Sequence, residues 1–171
     1  LPLLKGYHVQ WNIFGIRESE PLNKTVKKIL KIQPGHDIRF HGQVDAPNMI
    51  AALKACHFFV HPSYIDNSPN SVCEAMILGM PVLSSSVGGV PSLIDHERNG
   101  YLFNPHDRFD LAGRIAELWN TYEEAIKRGQ SARMTAQERH DPEQILSDLM
   151  AIYKAMIKGI GSGEIQQKYT P

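Results

Sequence analysis

The chain has 171 residues, of which 18 are basic and 18 acidic, so its formal net charge is zero. Bulk electrostatics therefore give no support for binding to nucleic acid, and no basic tract favours an anionic membrane surface. Apolar residues at 42% and charged residues at 21% are ordinary for one globular domain with a sizeable core, and no apolar run approaches the ~18 residues of a membrane-spanning helix.

Short apolar runs alternate with helical patterns over the first part of the chain. Strands are predicted at 8–14, 38–40, 57–60, 82–84 and 101–103, and helical stripes at 22–30, 46–56 and 68–78, with a short turn of helix at 91–94. Asp45, followed by Pro47, is the predicted N-cap of the second of these helices. Strands that are apolar on both faces and alternate with helices favour a doubly wound parallel sheet, that is, a Rossmann-like α/β fold.

In such sheets ligands bind beyond the carboxyl ends of the strands. The loops that follow Phe14, Phe40, Val60 and Ser84 are therefore expected to meet in one crevice.

From Asp107 onward the pattern is wholly helical. Helices are predicted from Asp107, over 122–140 and over 142–157. The first has an apolar stripe of Phe109, Leu111, Ala112, Ile115, Leu118 and Trp119, and the last has one of Ile145, Leu149, Ile152, Tyr153 and Met156. The glycine-containing segment 159–171 is predicted to be a flexible tail, so that the domain itself spans 1–158.

The most informative stretch, 63–79, is a polar loop followed by a helix. Ser68 is the predicted N-cap, Pro69 suits the first helical position, and Gly79 ends the helix. One face of this helix is an apolar stripe, formed by Val72, Ala75, Met76 and Gly79.

The other face of the same helix carries Asn70, Ser71 and Glu74. Helical side chains lean toward the N-terminus, where unpaired N–H groups and the helix dipole favour an anion. Asp66 lies eight positions before Glu74, in the loop that enters the helix. An anion cradle with two carboxylates fits a ligand that carries both phosphate and sugar hydroxyls. Spacing alone leaves open the alternative that Asp66 caps a turn and Glu74 is a solvated helix residue.

The segments 66–82, 87–91 and 99–103 resemble, in order and spacing, the donor-binding half of family 4 glycosyltransferases. The resemblance runs from about Phe40 to Asp107. It implies the C-terminal half of the GT-B fold and a retaining enzyme that uses a nucleotide-diphosphate sugar. The sequence departs from the family at Asp66, where a glutamate is usual, and at Ser92, where a glutamate commonly follows the Gly-Gly-x-Pro turn.

The resemblance also implies roles for individual residues. Asp66 would contact hydroxyls of the donor sugar and Glu74 those of the ribose, which makes these two carboxylates the catalytic candidates. The implied donor-binding residues are Asn70, Ser71 and Val72 through their backbone N–H groups, Gly42, Gln43 and Val44 beside the nucleobase, and Gly88 and Gly89 near the sugar and phosphates. A plain turn at 42–44 and a purely conformational role for the two adjacent glycines remain open.

Metal and cofactor chemistry finds no support in the sequence. Cys56, Cys73, His57 and His61 lack the paired spacing of a zinc site, and the two cysteines are predicted to be small core residues. No Asp-x-Asp triplet occurs, so we expect no metal and no cofactor beyond the nucleotide-sugar substrate.

We therefore interpret the chain as the donor-binding domain of a retaining glycosyltransferase, of the hexosyltransferase type. It begins without a methionine, and we expect an N-terminal acceptor-binding domain, for a glycan or lipid-linked acceptor, to lie outside it. On this interpretation the chain alone is inactive, the enzyme is cytoplasmic and serves polysaccharide biosynthesis, and any membrane association comes from the part outside. The alternatives are a non-catalytic nucleotide-sugar-binding module and a sugar-nucleotide epimerase of the same architecture.

Overall fold

The computed structural model describes residues 2–16, 21, 25 and 36–157. Its strands are β1 (Val9–Phe14), β2 (His36–Gly42), β3 (Phe59–His61), β4 (Val82–Ser85) and β5 (Tyr101–Phe103). Its helices are α1 (Ala46–Lys54), α2 (Asn70–Ile77), α3 (Arg108–Asn120), α4 (Tyr122–Arg139) and α5 (Pro142–Ile157), with short 3-10 helices at Pro2–Leu4 and Val90–Ser92. The predicted tail at 159–171 and, apart from residue 25, the predicted helical stripe at 22–30 lie outside the described residues.

All strand pairs among the described residues are parallel. β1 pairs with β2, and β4 lies between β3 and β5. The predicted α/β fold with parallel strands and a helical C-terminal segment is confirmed. The hydrogen bonds divide the strands into two sheets rather than one, and side-chain packing joins them, because Trp11 of β1 packs on the same apolar cluster as Phe58 and Val60.

The core has two halves on opposite faces of β4. All four residues of β4 are buried, and successive side chains in a strand point to opposite faces. Val82 packs in a cluster with α2 and α4, whereas Leu83 packs in a cluster with β1, β5 and α3. β4 is thus the central strand of its sheet, and its carboxyl end lies under the loops that carry the candidate site.

α2 ends in a Schellman motif. Gly79 adopts a positive φ of 74°, its N–H donates to the carbonyl of Met76 at 2.9 Å, and the N–H of Met80 donates to the carbonyl of Ala75 at 3.1 Å. The predicted helix stop at Gly79 is therefore confirmed. Gly129 of α4 is buried directly against this turn and the following proline, so the backbone of α4 packs against the turn that ends α2.

Several predicted boundaries shift. β3 covers Phe59–His61 rather than 57–60, and α1 ends at Lys54, although Asp45 caps it as predicted by accepting the N–H of Asn48 at 2.9 Å. Ser68 is not the N-cap of α2. Pro69 holds that position with extended dihedral angles (φ −70°, ψ 112°), so the helix begins one residue later.

Two predicted apolar stripes are only partly buried. In α3, Ile115 and Leu118 are buried, but Phe109 is 61% exposed and Trp119 is 41% exposed, because only one side of the helix faces the sheet. α5 forms over the predicted range, yet none of its residues is buried. Periodicity therefore predicts both helices correctly, but not which of their apolar side chains are covered.

Both cysteines are free thiols. Cys73 is buried within α2, and Cys56 is half-buried with its sulfur 3.8 Å from the side-chain nitrogen of Asn12. Burial raises the pKa of both thiols, so they stay protonated at neutral pH. No helix within the described residues is long and apolar enough to span a bilayer.

Gly129→Ala tests the contact between α2 and α4. A Cβ at this position would lie 2.8 Å from the carbonyl carbon of Met80 and 2.9 Å from the nitrogen of Pro81, both backbone atoms that cannot swing away. We expect the free energy of unfolding to fall by about 1–3 kcal/mol in urea denaturation. Gly113→Ala, in α3 with nothing within 4 Å of the added carbon, is the matched control and should gain about 0.5–1 kcal/mol. Equal effects of the two substitutions would contradict this packing.

Candidate functional site

The candidate site lies on the segment 62–69, which connects the end of β3 to the start of α2. β4 holds this segment from one side through Ser85, whose buried hydroxyl donates to the carbonyl of Ser63 at 2.6 Å and lies 3.3 Å from the carbonyl of His61. The hydroxyl of Ser63 in turn donates to the carbonyl of Ile65 at 2.9 Å. The turn that leads to Asp66 is therefore fixed to the central strand.

The loop after β4 packs tightly against the same segment. A Cβ on Gly88 would overlap the carbonyl oxygen of Asp66, and one on Gly89 would overlap the carbonyl oxygen of Asn67. Gly88 also has a positive φ of 48°. One predicted donor-binding glycine, Gly88, thus lies against a predicted catalytic residue, and Gly89 lies against the next residue in the chain. This contact gives them a steric reason to be glycine, and their predicted contact with a donor stays a prediction.

The start of α2 is left uncapped. Pro69 makes no side-chain cap, and the N–H of Val72 donates to the Pro69 carbonyl at 3.1 Å. The backbone N–H groups of Asn70 and Ser71 have no hydrogen-bond partner in the part of the chain that the structure describes. Of the three predicted backbone donors, these two remain available to a ligand, together with the positive end of the helix dipole.

The two candidate carboxylates differ in environment. The Glu74 side chain is exposed on α2 and makes no hydrogen bond or ion pair with the described residues, so it is open to a ligand. The Asp66 side chain is 29% exposed, and its Oδ2 lies 3.3 Å from Nε2 of His61. One carboxylate therefore has a charged or polar neighbour in the protein, and the other lies in solvent.

A second pair of loops follows β1 and β2. Gly42 is buried with a φ of 68°, its N–H donates to the carbonyl of Ile16 at 3.1 Å, and its carbonyl accepts the N–H of Gly15 at 2.6 Å. Gln43 is exposed and Val44 half-buried in the loop that continues. The segment 42–44 is therefore a turn locked to the loop after β1, and its predicted role beside a nucleobase stays a prediction.

Beside that turn lies an aromatic pair that the sequence pattern does not single out. The ring of His41 stacks on Phe14 at 4.7 Å between centroids, and its Nε2 lies 2.9 Å from the side-chain oxygen of Asn12. The pair lies where the register of the β1–β2 ladder shifts by one residue, so that Phe14 pairs with Gly42 rather than with His41, and periodicity alone does not reveal this shift.

A cavity of about 370 Å³ is lined in part by Pro62 and Tyr64 of the 62–69 segment and by Phe103 at the end of β5. Its lining includes Tyr64, His106, Arg108 and Phe109, and none of the ten predicted site residues contributes to it. Among the described residues no group of three or more His, Cys, Asp or Glu side chains is arranged to hold a metal ion.

The chain resembles several known proteins. Residues 1–121 match the family model described as glycosyl transferases group 1. The N-acetyl-alpha-D-glucosaminyl L-malate synthase of Bacillus anthracis is 32% identical over 92 residues, which are 54% of this chain and 24% of that protein. The poly(ribitol-phosphate) alpha-N-acetylglucosaminyltransferase of Staphylococcus aureus is 27% identical over 156 residues, which are 91% of this chain and 31% of that protein.

A solved structure agrees in fold. Anabaena HepE in complex with UDP-glucose superposes with a TM-score of 0.64 at 18% sequence identity, over 86% of this chain and 50% of that one. The chain therefore spans about a quarter to a third of the two curated relatives, at 24% and 31% of their lengths.

Ser85→Ala tests whether β4 fixes the segment that carries Asp66. Loss of the hydroxyl leaves the carbonyl of Ser63 without its donor, and we expect a loss of about 1–2 kcal/mol in unfolding free energy. Faster amide hydrogen exchange over 62–67 should accompany it. Ser84→Ala is the control, because that hydroxyl is equally buried but bonds only its own neighbour, at 3.4 Å. Unchanged exchange over 62–67 in the Ser85 variant would show that the segment is held by other contacts.

Proposed function

Because this chain belongs to the group 1 glycosyl transferases, we propose that it is the donor-binding domain of a retaining enzyme that transfers a sugar from a nucleotide-diphosphate sugar. The acceptor is bound by a part of the protein outside residues 1–158. Metal-independent transfer in the cytoplasm, to a growing polysaccharide, is part of the proposal.

The observation that carries this proposal is the uncapped start of α2. It offers two free N–H groups and a positive dipole end, with Asp66 just before it and Glu74 one turn into the helix. Free N–H groups at a helix start suit a phosphate, and carboxylates suit hydroxyl groups. A sugar nucleotide carries both groups, whereas a simple phosphate uses only half of the site.

The relatives favour the same ligand class. HepE is solved in complex with UDP-glucose, and the Staphylococcus aureus relative is named as an N-acetylglucosaminyltransferase. We therefore place a nucleoside diphosphate at the start of α2, with its ribose hydroxyls on Glu74 and its sugar hydroxyls on Asp66. Each charge-assisted hydrogen bond of this kind is worth about 1.5–3 kcal/mol, enough to select a sugar donor over the bare nucleotide.

In this proposal the protein accelerates transfer by positioning the donor sugar and by stabilising the charge on the departing nucleotide diphosphate. The N–H groups of Asn70 and Ser71 stabilise the negative charge that develops on the departing nucleotide diphosphate. The carboxylate of Asp66 holds the sugar in the reactive orientation. The turn formed by Gly88 and Gly89 keeps the backbone that carries this carboxylate in place, through its contact with the carbonyl groups of Asp66 and Asn67.

A second candidate function is a non-catalytic module that binds nucleotide sugars. Asp66 favours it, because this side chain is one methylene shorter than the glutamate of the resemblance and therefore reaches less far toward a donor sugar.

Glu74→Ala tests the nucleotide part of the site. Calorimetric titration of the full-length protein with UDP, GDP and ADP should show a loss of affinity of about tenfold or more, because one charge-assisted hydrogen bond to the ribose disappears. Glu138→Ala, on the exposed surface of α4, is the control and should bind like the wild type. Equal losses in the two variants, or none in either, would contradict the assigned site.

Asp66→Asn and Asp66→Glu separate the enzyme from the binding module. With UDP-glucose, UDP-N-acetylglucosamine, GDP-mannose and ADP-glucose as donors, we expect the wild-type protein to transfer sugar and Asp66→Asn to lose at least tenfold in kcat. Nuclear magnetic resonance of the product should show the anomeric configuration of the donor. Absence of transfer in both the wild type and Asp66→Glu, with donor binding intact, would favour the module.

A further inference from the structure

The imidazole ring of His61 lies next to the carboxylate of Asp66, the candidate catalytic residue. His61 is the last residue of β3, its side chain is 15% exposed, and its Nε2 lies 3.3 Å from Oδ2 of Asp66. That nitrogen is fully buried and makes no hydrogen bond within the described residues. Asp66 is thus close enough for an electrostatic contact with His61, but the two groups are not aligned for a hydrogen bond.

A buried nitrogen without a partner is costly, by about 1–3 kcal/mol. Only one other side-chain atom of the described residues, the indole nitrogen of Trp11, shares this condition. Catalytic hydrogen bonds are often misaligned in an empty site and tighten when the ligand binds. A small rotation of the Asp66 side chain, whose terminal torsion is soft, is enough to bring its Oδ2 into line with His61.

His61 is well placed to orient a partner because its own position is fixed. Its backbone pairs with Ser84 in the β3–β4 ladder, its carbonyl lies 3.3 Å from the hydroxyl of Ser85, and its ring stacks beside Phe59 at 6.4 Å between centroids. A side chain on a strand of the scaffold is held more rigidly than one on a loop. Asp66, by contrast, lies on the connecting segment.

We propose that His61 is a positioning residue that holds Oδ2 of Asp66 through an Nε2–H hydrogen bond when a nucleotide sugar is bound. Oδ1 is then left to accept a hydroxyl of the donor sugar. The imidazole fixes the short side chain of Asp66 in one rotamer and satisfies its own buried nitrogen. This inference rests on the proposed function, since it assigns His61 to the sugar end of the same site.

The proposal predicts different effects on the affinity that the sugar contributes and on the affinity that the nucleoside diphosphate contributes. Loss of the His61 hydrogen bond should weaken the contribution of the sugar to affinity, because Asp66 faces the sugar. It should leave the affinity for the bare nucleoside diphosphate unchanged, because the start of α2 and Glu74 remain intact. A merely structural role of the buried ring would weaken both ligands together.

The test is a double-mutant cycle in the full-length protein. His61→Leu, Asp66→Asn and the double variant are titrated calorimetrically with the tightest-binding of UDP-glucose, UDP-N-acetylglucosamine and GDP-mannose, and with its own nucleoside diphosphate. His61→Gln, which places an amide donor near the former Nε2, is the conservative variant. His57→Leu, at an exposed histidine just before β3, is the matched control.

We expect His61→Leu to lower the ratio of sugar-nucleotide affinity to nucleoside-diphosphate affinity about tenfold, the value of one hydrogen bond to a charged group. His61→Gln should recover most of that ratio, and His57→Leu should not change it. In the Asp66→Asn background, His61→Leu should cost less than twofold. If His61→Leu does not fold, His61→Asn, whose amide is too short to reach Asp66, carries the same expectation.

An unchanged ratio in His61→Leu, or the same loss with and without Asp66, overturns the role of His61 while the proposed function stands. Failure of the wild-type protein to bind any of the three nucleotide sugars overturns the proposed function, and this inference with it.

Discussion

The candidate site depends on one steric constraint, the contact between the glycine turn after β4 and the segment that joins β3 to α2. No side chain fits between Gly88 and the carbonyl of Asp66, or between Gly89 and the carbonyl of Asn67. The hydroxyl of Ser85 holds the same segment at a position before Asp66, by donating a hydrogen bond to the carbonyl of Ser63. Asp66 therefore lies on a loop that the central strand and its following turn shape together, a few residues before the uncapped start of α2 in the chain.

Much of this arrangement is predictable from the sequence because the signals are local. Asp45 caps α1, Gly79 closes α2, and each acts on backbone groups within a few residues. Asn99 and Gly100, two residues of the family resemblance, also turn out to have structural roles. The buried Asn99 side chain accepts the N–H of Asp95 at 2.8 Å, and a Cβ on Gly100 would lie 3.0 Å from Ile94.

What the sequence does not predict depends on contacts between distant segments. The apolar stripes of α3 and α5 identify helices, but Trp119 and most of the apolar face of α5 remain exposed, since periodicity says which face is apolar and not what covers it. The contact of Ser85 with the carbonyl of Ser63 joins residues 22 positions apart, and the contact of His61 with Asp66 depends on the turn between them, which periodicity does not describe. Serine is a residue type that commonly caps helices, but Ser68 does not cap α2. The backbone at Pro69 is extended, so the helix begins one residue later than predicted and its first N–H groups are free.

A crystal structure of the full-length protein with an intact nucleotide sugar tests the central claim most directly. We predict diphosphate oxygens within hydrogen-bond distance of the backbone nitrogens of Asn70 and Ser71, ribose hydroxyls on Glu74, and a sugar hydroxyl on Asp66. Binding of the nucleotide in the cavity lined by Tyr64 and His106, with the start of α2 left in solvent, would contradict the assignment.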